Sequence, residues 1–202
     1  MATRMNNKYL INLRGAGASG KTTALKKYCE RYGILRVEKV ETPFAHLPIS
    51  ILNNGVIVFG DYTIQANCLG ADRFKNGSKD IIDCFIAVCE KYNPDIIIYE
   101  HMFSSHTFKC SYEISQIAKE FGYEYFAIQL QISEEKRKNN VIKRSGENAS
   151  LKRFDSNNGK RVDAASKKLI DAGIDVLQIN VDNMRFENMW KILEYGIRKK
   201  VR

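Results

Sequence analysis

The sequence predicts an α/β fold in three layers, with a mostly parallel β-sheet flanked by helices on both faces. Short β-rich runs alternate with longer segments of helix-forming residues, which is the pattern of strands joined by crossover helices. The chain has 202 residues, of which 44% are hydrophobic and 27% are charged. This length and composition are typical of a folded domain with its own core, and we expect a single domain over residues 1–202.

The predicted strands are short runs rich in β-branched and aromatic residues. In chain order they are Lys8–Leu13, Ile34–Val40, Gly55–Tyr62, Asp95–Glu100, Tyr123–Ile132 and Val176–Val181. The run Asp95–Glu100 follows Pro94 and is apolar through its middle, as expected of a central parallel strand. Pro43 and Pro48 indicate a turn region between the second and third runs.

The predicted helices follow from apolar spacing and from residues that stop or cap a helix. They are Gly20–Tyr32, Asp80–Tyr92, Phe108–Phe121, a helix that begins after Ser133, and Phe186–Lys200. Gly33 and Gly122 stop the first and third of these. Ser133 is placed to cap its helix, because Glu134 and Glu135 follow in the first turn, where the helix dipole favours acids.

Composition narrows the class of protein. Thirty-two basic and twenty-three acidic residues give a net charge of +9, which favours phosphate-bearing ligands or nucleic acid as partners. The five cysteines contain no C-x-x-C pair, so we expect reduced, mostly buried thiols and a cytoplasmic location. With three histidines in the chain, a metal cluster is not expected. No apolar run approaches the roughly 18 to 20 residues of a membrane span, and the first residues lack the apolar stretch of a secretory signal.

The most specific motif lies between the first predicted strand and the first predicted helix. It matches G-x-x-x-x-G-K-[ST], and with the next residue it comprises Gly15, Ala16, Gly17, Ala18, Ser19, Gly20, Lys21, Thr22 and Thr23. The backbone N–H groups of such a loop form a concave nest for phosphate oxygens, and the following helix adds its positive end. Lys21 is expected to neutralise charge between the β- and γ-phosphates, and the Thr22 hydroxyl to coordinate magnesium. The motif therefore predicts a phosphate loop for ATP and Mg²⁺.

The same glycines also fit G-x-G-x-x-G, the turn of dinucleotide-binding folds. Glu38 or Glu41 lies about where a ribose-binding acid is expected in such folds. Lys21 and Thr22 favour the phosphate loop, because a dinucleotide turn needs no cation and hydroxyl at those positions.

Two acids end predicted strands at the edge where parallel sheets bind ligands. Glu100 can hold magnesium or bind an acceptor hydroxyl, and its structural alternative is to cap a neighbouring helix. His101 beside it is either a structural polar residue or an acceptor contact. Asp61 follows the run Val56–Gly60 and can take the acceptor hydroxyl's proton, or it is a turn aspartate after a glycine.

Further acceptor contacts are predicted after Leu69-Gly-Ala71. Asp72 and Arg73 can supply a carboxylate and a cation to an acceptor, and the alternative is a local ion pair. The aromatic residues near these loops are Tyr62, Phe74, Phe103 and Phe108, which can stack a base or serve in packing.

The stretch 133–162 carries nine basic and four acidic residues. Arg137 and Arg144 are seven residues apart and share a face if one helix contains both. Mobile arginines that fold over the phosphates are the usual parts of a kinase lid, and the alternative is a solvated basic helix face. The polar, turn-rich middle from Arg144 to Gly159 indicates a mobile excursion from the core.

The order of these parts resembles the P-loop kinases of the nucleoside and nucleotide kinase class. The shared parts are the phosphate loop Gly15–Thr22, the acid Asp61, the strand that ends in Glu100 and the basic stretch after Ser133. The loop, together with Phe59-Gly-Asp-Tyr62 and Leu69-Gly-Ala-Asp-Arg73, is similar to small bacteriophage-encoded kinases, one branch of which phosphorylates 5-hydroxymethyluracil bases within DNA. The resemblance implies the three-layer P-loop NTPase fold and, for a bacteriophage protein, the host cytoplasm.

The expected activity is transfer of the γ-phosphoryl group of ATP, with Mg²⁺, to a hydroxyl of a nucleic-acid component. A modified base in DNA is the favoured acceptor, because the charge of +9 suits a polyphosphate backbone. A free nucleoside or nucleotide is the second candidate. From other classes, the alternatives are a P-loop ATPase or switch, and a nucleic-acid-binding module with a vestigial nucleotide site.

Overall fold

The structure is a computed structural model. It describes residues 7–64, 70–71, 74, 76–145 and 157–200, without the side chains of Arg144 and Ser145. Within these residues, seven strands form one sheet. The strands are β1 (Lys8–Gly15), β2 (Ile34–Glu41), β3 (His46–Leu52), β4 (Ile57–Phe59), β5 (Ile96–Glu100), β6 (Tyr123–Gln131) and β7 (Val176–Asn180). The helices are α1 (Lys21–Tyr32), α2 (Ser78–Tyr92), α3 (Met102–His106), α4 (Phe108–Glu120), α5 (Glu134–Ser145), α6 (Asn157–Asp171) and α7 (Lys191–Lys200), with a 3-10 turn at Phe186–Asn188.

The strand order is β2-β3-β4-β5-β1-β6-β7. Strands β4, β5, β1, β6 and β7 run parallel, and β2 and β3 form an antiparallel hairpin at one edge. In the central pairing Leu13 of β1 lies opposite Glu100 of β5, and Gly15 lies opposite Leu130 of β6. The predicted three-layer α/β fold of the P-loop NTPase type is therefore confirmed.

Alternate residues of β1 supply the two cores, because successive side chains of a strand point to opposite faces of the sheet. Leu10 packs into the core that contains α2 and α4. Ile11 and Leu13 pack into the core that contains α1 and α7. All three side chains are fully buried, so β1 is covered on both faces and its end is held firmly.

Strand β3 is the largest departure from the prediction. The sequence suggested a turn region around Pro48, but Pro48 lies inside β3 and pairs with Lys39 of β2. The Gly60 N–H donates to the Pro48 carbonyl at 2.8 Å. Because Pro48 has no N–H, it cannot donate a hydrogen bond to the Gly60 carbonyl. That carbonyl accepts the Ser50 hydroxyl at 2.8 Å instead. A local side-chain bond thus compensates for the proline.

Other boundaries differ for similar local reasons. Strand β4 ends at Phe59, so Asp61 and Tyr62 follow the strand rather than close it. Helix α3, which was not predicted, is a single short turn capped by His101. The closing helix begins at Lys191, after the separate 3-10 turn. Ser133 caps α5 as predicted, because its hydroxyl accepts the N–H of Lys136 at 3.3 Å.

Apart from Ser133, which precedes α5, the basic stretch 133–162 is helical wherever it is described. Arg144 lies in α5, and α6 begins at Asn157, so both ends of the predicted excursion belong to helices. Val162 is buried against the sheet side of α6. Residues 146–156 lie outside the described part of the chain.

Four cysteines are buried free thiols, namely Cys29, Cys84, Cys89 and Cys110. Burial raises the pKa of Cys29 to about 12, which keeps this thiol protonated at neutral pH. Cys68 lies outside the described residues. Among the described helices, none has the length and apolar character required to cross a bilayer.

Gly196 of α7 provides a test of the packing between α7 and the sheet. A Cβ atom there would lie 2.3 Å from Cδ1 and 3.0 Å from Cγ1 of the buried Ile128. We expect Gly196→Ala to destabilise the protein by about 1–2 kcal/mol, because overpacking outweighs the gain in helix propensity. Urea unfolding measures the change.

Gly159→Ala is the matched control within α6. A Cβ at Gly159 would meet only Nη1 of Arg137, at 4.0 Å. This variant should be stabilised by up to about 1 kcal/mol. Equal effects at the two glycines would show that the contact with Ile128 does not restrict residue 196.

Candidate phosphate-binding site

The candidate site lies where the carboxyl ends of the parallel strands meet. The phosphate loop follows β1, Glu100 ends the neighbouring strand β5, and Asp61 follows β4. Parallel pairing of β1 with β5 and of β5 with β4 places all three at one edge of the sheet. This edge is where open α/β sheets bind ligands.

Left-handed backbone shapes the phosphate loop. Gly20 has a φ of 96° directly before α1, and Ala18 has a φ of 63°, which an alanine adopts only at a cost of about 1–2 kcal/mol. At Gly15 a Cβ atom would lie 2.6 Å from the Ser19 hydroxyl oxygen and 3.1 Å from the Leu130 carbonyl oxygen. The loop therefore requires glycine at its first position and keeps a strained residue at its tip.

Lys21 closes the loop from the inside. Its Nζ donates to the carbonyl oxygen of Gly15 at 3.0 Å and to that of Ala16 at 3.3 Å, and the side chain is only 7% exposed. The first N–H groups of α1 have no acceptor within the helix. The buried Ser19 hydroxyl also has no hydrogen-bond partner among the described residues. Donors and a cation thus converge on one concave surface, which fits the oxygens of a polyphosphate.

Glu100 is buried beside this loop. Its Oε1 accepts the Tyr62 hydroxyl at 3.2 Å, and a Cβ atom on Gly70 would lie 2.5 Å from its Cγ. Gly70 is therefore needed for the close approach of its segment to the carboxylate. Glu100 and the hydroxyl of Thr22 are oxygen donors of the kind that Mg²⁺ prefers.

The described residues contain no group of three or more histidine, cysteine, aspartate or glutamate side chains that could hold a metal. Mg²⁺ is usually held by one or two protein oxygens together with phosphate oxygens and water. The donor set of Thr22 and Glu100 therefore fits a magnesium ion that arrives with a nucleotide, rather than a permanently held metal.

His101 has a clear structural role. Its Nδ1 accepts the N–H of Ser104 at 3.2 Å, and its carbonyl accepts the hydroxyls of Ser104 and Ser105. The side chain is 5% exposed. The structure thus places His101 as the cap of α3, and its contact with an acceptor stays a prediction.

Asp61 lines a second cleft at the same edge. Its Oδ1 accepts the backbone N–H of Thr63 at 2.9 Å and the Thr63 hydroxyl at 2.6 Å, so the carboxylate is oriented by a local turn. The cleft encloses about 450 Å³ and is lined by Lys39, Phe44, Ala45, His46, Leu47, Pro48, Asp61, Phe74, Asn76 and Asp80. Asp72 and Arg73, which the sequence assigned to the acceptor, lie outside the described residues.

Residues of α5 and α6 cover the phosphate loop. The Asn140 amide of α5 donates to the carbonyl oxygen of Ala18 at 3.1 Å. Arg137 is only 4% exposed and lies beside Gly159 at the start of α6. The alternative of a solvated basic helix face therefore does not hold for Arg137, because this side chain is buried. For Arg144 the side chain lies outside the described part of the chain.

A cleft of about 330 Å³ adjoins the phosphate loop on the side of α5. Its walls are Ala18, Ser19, Gly20, Thr23, Ile132, Lys136, Asn140, Lys143, Val181, Met184, Phe186 and Met189. The apolar members and the amide of Asn140 suit a nucleobase that extends from phosphates bound on the loop. The predicted stacking residue Phe74 lies in the other cleft, and Tyr62 is engaged with Glu100.

Sequence reasoning missed three further polar residues around the loop: Asn140, His106 and Asn158. A Cβ atom on Gly17 would lie 3.4 Å from Nδ2 of Asn158 in α6. Arg14, directly before the loop, is also fully buried, and its Nη2 donates to the Ser105 carbonyl at 2.6 Å. A cation within an otherwise apolar strand was the signal for Arg14. No comparable signal marks the other three in the sequence.

Comparison with solved structures supports the fold alone. A structure from work on the PezAT chromosomal toxin–antitoxin system of Streptococcus pneumoniae matches with a TM-score of 0.53 at 12% sequence identity, covering 98% of this chain and 88% of that chain. An uncharacterised protein from Eubacterium ventriosum matches with a TM-score of 0.46 at 10% identity, covering 96% of this chain and 100% of that chain. No protein-family model matches the chain, and no curated protein matches it.

The contacts of Lys21 predict how ATP affects stability. With Mg²⁺ and ATP at 100 times the dissociation constant, we expect the free energy of unfolding to rise by about 2.7 kcal/mol. For Lys21→Ala we expect affinity to fall about 100-fold, because a buried charged donor is lost, so the same ATP concentration adds about 0.4 kcal/mol. Chemical unfolding with and without ATP measures both.

Lys26→Ala is the control for this experiment. Lys26 lies on α1 five residues beyond Lys21 and is only half-buried. Its variant should keep the full effect of ATP. An unchanged effect of ATP on Lys21→Ala would contradict the assignment of the loop.

Proposed function

We propose that this chain is a Mg²⁺- and ATP-dependent phosphotransferase that transfers the γ-phosphoryl group to a hydroxyl of a nucleic-acid component. The observation that carries the proposal is the position of Lys21. Its ammonium lies inside a glycine-rich loop at the end of a central parallel strand, and the neighbouring parallel strand ends in the buried Glu100. A cation, amide donors and a carboxylate in this arrangement are the parts that phosphoryl transfer requires.

Each residue then has a defined task. Lys21 and the loop N–H groups bind the phosphates. Thr22 and Glu100 would hold a magnesium ion, which would supply further neutralisation of phosphate charge. The acceptor oxygen forms a bond to the γ-phosphorus as the bond to the bridging oxygen of ADP breaks. Asp61 takes the proton of the acceptor hydroxyl. Arg137 and Asn140 help to exclude water from the loop.

The existence of two clefts favours a kinase over a simple ATPase. One cleft adjoins the phosphate loop, and the other contains Asp61. Tyr62 links the position of Asp61 to Glu100, since it follows Asp61 in the chain and its hydroxyl donates to Glu100. A hydrolase needs no second concave site, whereas a kinase must bind its acceptor within reach of the γ-phosphate.

The favoured acceptor is a 5-hydroxymethylpyrimidine base in DNA, and a free nucleoside or nucleotide is the alternative. The net charge of +9 supports DNA, because contacts with its phosphates favour a basic protein. The DNA proposal requires that binding weaken steeply between low and moderate salt. Binding that does not change with salt would contradict it.

Transfer of label from [γ-³²P]ATP tests the acceptor class. Duplex DNA, plain or with hydroxymethylated pyrimidines, is compared with free nucleosides and monophosphates. We expect label in the modified duplex. Label in a small acceptor alone would establish the alternative kinase, and release of inorganic phosphate without a labelled acceptor would indicate an ATPase or switch.

The orientation of Asp61 predicts that its substitution slows phosphoryl transfer without changing nucleotide binding. We expect Asp61→Asn to lower the rate of transfer about 100-fold, because the amide cannot take the acceptor proton. Affinity for ATP should stay the same, since Asp61 lines the other cleft. Initial rates and ATP titrations measure the two effects.

Asp171→Asn is the matched control, because Asp171 is an exposed carboxylate at the end of α6. It should transfer phosphate at the normal rate. If Asp61→Asn matches it, Asp61 is only a turn residue.

A further inference from the structure

Two buried polar atoms lie at the corner between α3 and α6, one in each helix. Nε2 of His106, the last residue of α3, is buried and has no hydrogen-bond partner among the described residues. Oδ1 of Asn158, in the first turn of α6, is also buried and has no hydrogen-bond partner among the described residues. Buried polar groups are normally hydrogen-bonded, and a polar ligand at this corner would supply the bond that Nε2 of His106 does not complete.

The corner adjoins the phosphate loop. Asn158 lies against Gly17, since its Nδ2 would be 3.4 Å from a Cβ atom placed there. His106 lies beside Asn158, whose side chain interacts with the imidazole. The α3–α6 corner, defined here as His106 and Asn158, therefore adjoins the phosphate loop at Gly17.

Three positive charges among the described residues act on His106. They belong to Lys21 of α1, Arg161 of α6 and Arg14 of β1. Arg14 is fully buried, and its Nε and Nη1 have no hydrogen-bond partner among the described residues. Burial, followed by the charge of Lys21, lowers the pKa of His106 below its ordinary value of 6.5. Without a bound anion, burial and these charges therefore favour the neutral imidazole.

We propose that His106 is a positioning residue of the phosphate site, which takes up a proton from solvent when a polyphosphate binds and then donates a hydrogen bond to a phosphate oxygen. This inference rests on the nucleotide site of the proposed function. Asn158 orients the ring between the loop and α6. His106 would supply a positive donor only while phosphate is present, which a lysine at that position would not do.

The sign of the pH dependence follows from this linkage. A bound polyanion offsets the charges of Lys21, Arg161 and Arg14, so the pKa of His106 rises in the complex. The complex then holds more protons than the empty protein at pH values between the two pKa values. Affinity for nucleotide therefore increases as the pH falls through this interval, and it levels off below the pKa of the empty protein.

Proton NMR of the imidazole groups measures this directly, because the chain has only three histidines. The probe is the non-hydrolysable ATP analogue adenylyl imidodiphosphate with Mg²⁺. We expect the pKa of His106 to rise by about one unit or more on saturation.

His106→Gln separates titration from packing, because glutamine keeps a polar donor without a titrating charge. Calorimetry in buffers of different ionisation enthalpy should show proton uptake by the wild type near pH 6.5 beyond that of His106→Gln. A merely structural role for His106 would change stability but leave the proton uptake of His106→Gln equal to that of the wild type.

Asn158→Asp gives a second, independent readout. A carboxylate there should raise the pKa of His106 without nucleotide and weaken binding of the analogue at least about tenfold through repulsion of phosphate. Bound analogue with no change in the pKa of His106 overturns this inference alone. A protein that binds no analogue at any pH, with Lys21→Ala behaving like the wild type, overturns the proposed function as well.

Discussion

The pairing of β1 with strands on both sides is the constraint on which the rest of the site depends. Because β1 is parallel to β5 and β6, its end is placed beside Glu100 and Leu130 by backbone hydrogen bonds rather than by flexible side chains. The buried faces of β1 prevent it from shifting along its neighbours. The loop after Gly15 can therefore hold a strained shape, since the strand beneath it does not move to relieve the strain.

Positive charge is concentrated beneath and around this loop. Arg14, Lys21 and Arg137 are each at least nine-tenths buried, although burial of a cation is unfavourable on its own. A fold selected for stability alone would place apolar residues at these positions. Buried cations at these positions are what the proposed function requires, because functional sites commonly give up some stability for a prepared binding surface.

Sequence patterns gave the parallel core and the loop because both depend on local features. Apolar runs of strand length and the spacing of Gly15, Gly20 and Lys21 carry their own signal. Strand β3 was missed because the compensation for Pro48 comes from Ser50 and Gly60, which are close only after folding. The α3–α6 corner was missed for the same reason, since 52 positions along the chain separate His106 from Asn158. A single polar residue in a helix gives no sequence signal of such a contact.

The order of the strands also affects synthesis of the chain. Leu10 of β1 pairs with Ile97 of β5 and with Tyr125 of β6, so the central strand emerges from the ribosome well before either neighbour. At roughly 5–20 residues per second, some 90 residues take about 5–20 s to follow. During that interval an apolar segment has no sheet to join. A strand order in which β1 waits for both neighbours therefore exposes this apolar segment to aggregation for longer than an order in which successive strands pair directly.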